Sequence, residues 1–328
     1  MQGACPLVPV ALLVLARGRS PPDVHVKQHL CAHRSGLVSF GTYCCWSGSV
    51  AAGPEQQTRR LAISISRHGT YAIHRDGRSA ISDRTCAAVF NPGDVYRTSH
   101  PDRCDDDGAW FSFRRDAVVD VFARHDARVA GHPERPFREL TVPLSQRATL
   151  LAAALFRDHA RGVAECAPHA AARPPVAGEA SGAKPAGLCW DERALEWLDA
   201  LAAGAPVPAV ARPARQAPSR THVELAHEAE RLLALRFAEP LDLDELATRT
   251  AVSVAHLCRV FRAVTGSSLH GRLERHRLTA ALEAVRDPAR DLTAVALDCG
   301  FSSHSHFTDR FRRAFGVTPS QFRGRSWR

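Results

Sequence analysis

Near its C-terminus the chain writes one pattern twice: a short amphipathic helix, a tight turn, then a longer amphipathic helix. The first copy runs from Asp242-Leu243-Asp244-Glu245-Leu246-Ala247 through the turn Ala251-Val252-Ser253 to His256-Leu257-Cys258-Arg259-Val260-Phe261-Arg262. The second runs from Leu292-Thr293-Ala294-Val295-Ala296 through Gly300-Phe301-Ser302-Ser303 to His306-Phe307-Thr308-Asp309-Arg310-Phe311-Arg312-Arg313. Neither short helix can bury its apolar stripe alone, so both copies must share one helical core.

The punctuation around the pair agrees with that reading. Asp242 with Glu245 three residues on is a capping-box arrangement, and Ser253 is a good N-cap for a helix ending at Gly266. A long helix over about 268–286 follows, its apolar set being Leu269, Leu273, Leu278, Ala281, Leu282 and Val285, and Asp287-Pro288 stops it. Asp291 and Ser303 cap the next two helices, Gly316 ends the second of them, and Pro319 opens a short last one.

Upstream the periodicity changes. Leu61–Ser66 alternates with period two, Tyr71–His74 resumes after Gly69, and Asp76-Gly77 is a tight-turn dipeptide before Ser79-Ala80-Ile81. Asn91-Pro92-Gly93-Asp94 marks another turn, and Trp110–Phe113 a further strand. Short strands with frequent turns suggest a barrel or sandwich over residues 23–143. Two helices follow, one capped by Ser145 and one over Trp190–Leu201, separated by an Ala/Pro/Gly-rich loop at 162–187. Pro206, Pro208, Pro213 and Pro218 make 206–219 a linker and the best domain boundary.

Composition narrows the chemistry less. The net charge of +9 and pI near 9.4 admit an anionic partner, nucleic acid or membrane. The cations are nearly all arginine, a planar fork suited to phosphate and guanine, although a GC-rich genome also favours Arg and Ala codons. From Ala251 to Arg328 there are thirteen Arg against six acids, so the excess lies where the paired helices are. The ten cysteines contain no C-x-x-C and read as reduced thiols of a cytosolic protein. The apolar run 4–16 lacks a preceding cation, contains two prolines and is too short to span a bilayer; residues 1–22 read as a disordered extension. There is no Rossmann glycine pattern and no phosphate loop.

The longer helix of each copy divides into two faces. Leu257, Val260, Phe261 and Val264 fall on one side of the first, and Ala255, Cys258, Arg259 and Arg262 on the other. In the second, Phe307, Phe311 and Phe315 form the apolar stripe, opposite His304, Ser305, Thr308, Asp309 and Arg312. A helix that reads base edges in a major groove needs this division: one side seats it rigidly, and short polar or Arg side chains reach out from the other. The two N-cap serines leave backbone N–H groups suited to phosphate. A single such helix is ordinarily just a surface helix; two at matched positions are not.

Residues 221–325 resemble the DNA-binding domain of the AraC/XylS family of bacterial transcription regulators. The residues that carry this are Leu246-Ala247, Ser253 to Phe261, Thr265-Gly266, Arg277-Leu278, Ala281, Val295-Ala296, Gly300-Phe301, Ser305-His306-Phe307, Phe311-Arg312-Arg313, Phe315-Gly316, Thr318-Pro319 and Phe322-Arg323. More loosely, Phe90–Arg97 with His100-Pro101 resembles the family's cupin-like sensor half. The resemblance implies an α+β, two-domain chain: an N-terminal cupin-like β-barrel with flanking helices over 23–205, a linker at 206–219, and an all-α, seven-helix double helix–turn–helix domain over 220–328.

It also implies that Ser253, Ala255, His256, Cys258, Arg259 and Arg262 of the first unit and Ser303, His304, Ser305, Thr308, Asp309, Arg312 and Arg313 of the second face DNA. His68, Tyr71, His74, Tyr96, Arg97 and Trp110 are candidates to line an effector pocket, against the plainer reading of Tyr71 and Trp110 as core and of His68, His74 and Arg97 as surface. The implied partners are double-stranded promoter DNA, RNA polymerase for an activator, a small-molecule effector and a second copy of the chain; no membrane, cofactor or metal is expected, and the location is cytoplasmic, at the nucleoid. A cupin-type metalloenzyme or a thiol methyl-acceptor repair protein with a DNA-binding tail is the alternative. The scattered histidines of the strand region, with no His-x-His there, and the missing Cys cluster count against both.

Two departures from the family pattern stand out. Ala251 occupies a turn position usually held by Gly, at a cost of about 1 kcal/mol if φ is positive there. Asp309 stands where Arg is common; it either accepts from cytosine N4 or pairs with Arg312 or Arg313, the pair being the preferred reading. His100 to Gly108, with three consecutive acids beside Cys104, reads as a solvated loop.

Overall fold

The computed structural model describes residues 26–46, 51–100, 106–166, 186–205 and 219–324. The expectations for residues 1–22 and for the linker up to Pro218 lie outside them. The strands are β1 (Val26–Arg34), β2 (Val38–Trp46), β3 (Gln56–Gln57), β4 (Ala62–His68), β5 (Tyr71–Arg75), β6 (Arg78–Ser82), β7 (Cys86–Phe90), β8 (Val95–Ser99), β9 (Asp106–Phe113) and β10 (Thr141–Pro143). The helices beside them are α1 (Arg115–Ala123), α2 (Arg128–Gly131), α3 (Gln146–Cys166) and α4 (Ala186–Gly204).

The strands form two antiparallel sheets, ordered β1-β2-β9-β4-β7-β10 and β3-β8-β5-β6. The turns are those the sequence writes: Asp76 and Gly77 both adopt positive φ in the β5–β6 hairpin, and Asp94 N–H closes onto Asn91 O at 3.1 Å around Gly93. Neither sheet closes on itself, so the described strands make an open two-sheet stack where a closed barrel was expected. The edge strands explain this, since β3 has two residues and β10 three, too few to carry a ladder from one sheet to the other.

Strand alternation gives the larger sheet two different faces. Phe40, Ile63, Ile65, Val89, Phe111 and Phe113 point to the helices, where Trp197, Leu198, Leu201 and Leu155 cover them. Phe111 stacks on Trp197 with ring centroids 4.3 Å apart. Tyr43, Ala88, Phe90 and Trp110 point the other way, onto Tyr71, Ile73 and Tyr96 of the smaller sheet. The space between the sheets is the more polar of the two: Tyr71 donates to Ser64 Oγ at 3.3 Å, and the Tyr43 hydroxyl and Ser82 Oγ each lie 3.5 Å from Ser66 Oγ.

From Ser219 onward the described chain is helical: α5 (Arg220–Leu235), α6 (Leu243–Arg249), α7 (Val254–Thr265), α8 (Leu269–Ala284), α9 (Leu292–Asp298), α10 (His304–Phe315) and α11 (Pro319–Gly324). These are the seven helices the resemblance implies. Helix α8 is the shared rod. Its N-terminal Leu269 and Leu273 join the core of α5, α6 and α7, and its Leu278, Ala281 and Leu282 join the core of α9, α10 and α11. No helix among the described residues is long and apolar enough to cross a membrane.

Candidate nucleic-acid interface

The two units α6–α7 and α9–α10 are built by the same local chemistry. Asp242 accepts from the backbone N–H of Asp244 and Glu245, and Asp291 from those of Thr293 and Ala294, so each short helix opens with its donors satisfied and an acid on its positive end. Each turn passes through one residue in the left-handed region, Ala251 at φ +56° and Gly300 at φ +82°. The following N–H then reaches back into the short helix, Val252 to Ala247 O at 3.1 Å and Phe301 to Ala296 O at 2.9 Å. Ser253 and Ser303 cap the long helices by accepting from His256 and His306 N–H, and Gly266 and Gly316 end them in the left-handed conformation.

The apolar stripes are seated as the sequence predicts. Leu257, Val260 and Phe261 of α7 are buried, as are Phe307 and Phe311 of α10. Phe311 sits in an edge-on cluster with Phe307, Phe315 and Phe322 at centroid distances of 5.5, 4.8 and 5.7 Å. Each fully buried Phe contributes roughly 1.5–3 kcal/mol, which makes the seating of α10 rigid. Arg277 anchors the loop between α5 and α6 by donating to Phe237 O and Glu239 O at 2.8 and 2.7 Å. Arg323 donates to Val285 O and Arg290 O and so closes the C-terminal end of α8.

Ala255, Cys258, Arg259 and Arg262 are exposed along α7, and Ser303, His304, Ser305, Asp309, Arg312 and Arg313 along α10. Among the described residues Arg259, Arg262 and Arg312 form no ion pair, so these cations stand in solvent. His256 is half-buried, its ring 5.7 Å from that of His222. Thr308 is half-buried, with its hydroxyl enclosed. Asp309 pairs with Arg313 one turn on, at 3.2 Å, the intrahelical arrangement expected of it.

The candidate effector residues separate. Tyr71, Tyr96 and Trp110 meet between the sheets. His74 is on the opposite face of β5 from Tyr71 and bonds Ser99 Oγ at 2.8 Å; burial pulls its pKa down. Arg97 is exposed, 3.7 Å from Glu55. His68 points to the helical half: it bonds Asp107 at 3.0 Å and lies 3.5 Å from Glu283 of α8, and the Asp107 bond holds its pKa above the ordinary histidine value. A separate 280 Å³ cavity, lined by Arg75, Arg78, His132 and Arg135 among others, contains none of these six. The solvated-loop reading also needs correction for His100, Asp106 and Asp107, residues 101–105 lying outside the described ones. His100 and Asp106 are 1% and 3% exposed, and Asp106-Asp107 begins β9, because strand alternation turns one acid into the core and the next outward.

One set of residues gave no sequence signal. Helix α8 turns a polar face to the strand layer: Arg272 donates to Thr85 Oγ1 at 3.0 Å and to Glu230 of α5 at 2.5 Å, and Glu283 accepts from Arg67 at 2.8 Å. His276, 0% exposed, lies 3.5 Å from Asp83. Burial pushes His276 down to about 4, so at neutral pH it carries no charge. A neutral imidazole cannot hold Asp83 ionised; Arg272 and the two Thr85 donors do, against the burial that opposes them. Burial pushes Glu230 up to about 7, with Arg272 opposing. The spacing of Arg272, His276 and Glu283 is that of an ordinary solvated stripe, and only the tertiary contact makes it internal.

The family profile described as a helix-turn-helix domain matches residues 246–325, the span from α6 to the end of α11. Regulatory protein SoxS of Escherichia coli K12 is 36% identical over 87 residues, 26% of this chain and 81% of that protein. Right origin-binding protein of the same organism is 35% identical over 85 residues, again 26% of this chain but only 29% of its own length. A solved AraC-type transcriptional regulator from Chromobacterium violaceum overlays 30% of this chain and 89% of its own at 30% identity, with a TM-score of 0.29. With the double helix–turn–helix in place and four-fifths of SoxS matched, the chain belongs to the AraC/XylS family of transcriptional regulators.

Proposed function

We propose that the chain is a sequence-specific regulator that binds double-stranded promoter DNA by setting α7 and α10 into successive major grooves. The observation that carries this is the pair of matched units, each with a buried apolar stripe and an exposed opposite face bearing unpaired arginine. Arg259 and Arg262 suit guanine or phosphate in the first groove; Ser303, His304, Ser305 and Arg312 suit the backbone and base edges of the second. Asp309, bound to Arg313, contributes less directly.

Residues 23–205 form the sensing half in this proposal, with 206–219 as linker and 220–328 as the DNA-binding half. An effector held between the sheets near Tyr71, Tyr96 and Trp110 would act on α8 through the contacts of Asp83, Thr85, Arg67 and His68. The outer surfaces of α3 and α4, whose inner sides cover the larger sheet, are where a second copy would pair. RNA polymerase is the further partner when the regulator activates.

The test is fluorescence anisotropy of the full chain on the upstream region of its neighbouring operon, measured across salt. Binding should weaken steeply and log-linearly with salt, as phosphate neutralisation requires. No binding at low salt, or binding equal on scrambled duplex, would refute the proposal.

A further inference from the structure

Cys45, His100 and Asp106 are 6%, 1% and 3% exposed, and their donor atoms all lie within 4.8 Å of one another. Their placement is rigid. Cys45 and Asp106 are direct cross-strand partners on β2 and β9, which sets their side chains side by side on the inter-sheet face. His100 follows β8 of the opposing sheet, and its Nε2 lies 2.5 Å from Asp106 Oδ1. We propose that these three side chains form a metal site, specific for a borderline-soft divalent ion of the zinc class, that ties the two sheets together.

The donor set selects the ion. A thiolate, an imidazole and a carboxylate suit zinc, whereas calcium and magnesium take oxygen alone. Zinc lies about 2.0–2.3 Å from such donors, so ligand atoms bound to one ion sit about 3.3–3.8 Å apart, within reach of the observed separations after a small opening of the His100–Asp106 pair. A divalent ion would neutralise both the carboxylate and the thiolate, the thiol proton leaving to solvent as the ion enters. Three protein ligands leave a fourth position for water or a small anion.

The site is tested without reference to DNA binding. The full chain is stripped with a chelator and titrated with Co²⁺, then with Zn²⁺. One Co²⁺ per chain should bind, with a thiolate-to-cobalt charge-transfer band that Zn²⁺ displaces and Mg²⁺ does not. Cys45→Ser should abolish the band, and Asp106→Asn should weaken binding at least tenfold. Cys44→Ser, one residue away on the other face of β2, should leave both unchanged. No such band in folded wild-type protein overturns the proposal, whether or not the variants fold, and so does a band that survives Cys45→Ser.

Discussion

Ala251 stands at φ +56° in the turn of the first unit, where the second unit has Gly300. An L-residue in this region costs about 1–2 kcal/mol relative to glycine, because Cβ crowds the following carbonyl. Replacing Ala251 by Gly removes that cost but loosens the unfolded chain, which takes back about 0.4–1 kcal/mol. The methyl group is exposed, so no packing is lost. Ala251→Gly should therefore stabilise the chain by about 0.5–1 kcal/mol, a rise of a few degrees at most in the melting temperature of the helical unit. The opposite exchange at the second turn is not its mirror image. A Cβ on Gly300 would stand 2.6 Å from Ala238 O and 2.9 Å from Arg277 Nε, and Arg277 is itself fixed on Phe237 O. Backbone strain and overpacking then add, and Gly300→Ala should destabilise by more than about 2 kcal/mol. Urea unfolding followed by far-UV circular dichroism reads both. A destabilised Ala251→Gly, or a neutral Gly300→Ala, would refute the assignment of strain to these turns.

Arg259→Ala should weaken operator binding by about 1–3 kcal/mol and relax sequence preference at one position; an equal loss on every duplex with a shallower salt slope would make it a phosphate contact instead. A double-mutant cycle on Asp309 and Arg313 should give no more than about 0.5 kcal/mol of stability coupling, since both are well exposed, and a value above 1 kcal/mol would contradict that placement. The α8 contact should show two opposed pH dependences. His276, ordinarily near 6.5 and held at about 4, contributes stability that is complete above 6.5 and lost as pH falls toward 4; Glu230, ordinarily near 4.5 and raised to about 7, contributes stability that is complete below 4.5 and lost as pH rises toward 7. Relative to wild type, His276→Asn should therefore lose stability with rising pH between 4.5 and 6.5, and Glu230→Gln should gain it, each by up to about 1.4 kcal/mol per pH unit. Parallel profiles for either variant and wild type, measured from urea midpoints, would show that its titration is not linked to folding.

What the sequence made legible was local. The caps at Asp242, Ser253, Asp291 and Ser303, the glycine stops and the phenylalanine stripe are each written within a few residues, and the structure places all of them in the expected roles. The hairpin at Asp76-Gly77 and the alternation of β4 are of the same kind. Sheet closure was not legible, because it depends on how far edge strands such as β3 and β10 extend. The cluster of Cys45, His100 and Asp106 was not legible either. Cys45 lies far from His100 and Asp106 along the chain and joins them only through the β2–β9 register and the stacking of the second sheet.

Helix α8 shows how the same residue pattern changes meaning when a tertiary contact is added. By sequence it is the connector between two reading units, with one apolar stripe and a charged remainder. In the fold nearly every side of it is occupied: Leu269 and Leu273 hold the first unit, Leu278, Ala281 and Leu282 the second, and Arg272, His276 and Glu283 the strand layer. Because one rigid rod carries both cores, the relative setting of α7 and α10 is fixed by the packing of α8 and not by the flexible length of a linker. A force applied at Asp83, Thr85 or Arg67 therefore meets both α7 and α10 through the same element. Asp107 and Asp106 sit back to back at the start of β9, one bonded to His68 beside Glu283 and the other facing Cys45 and His100, so the outward face of that strand is linked to α8 through His68 while its inward face lines the space between the sheets.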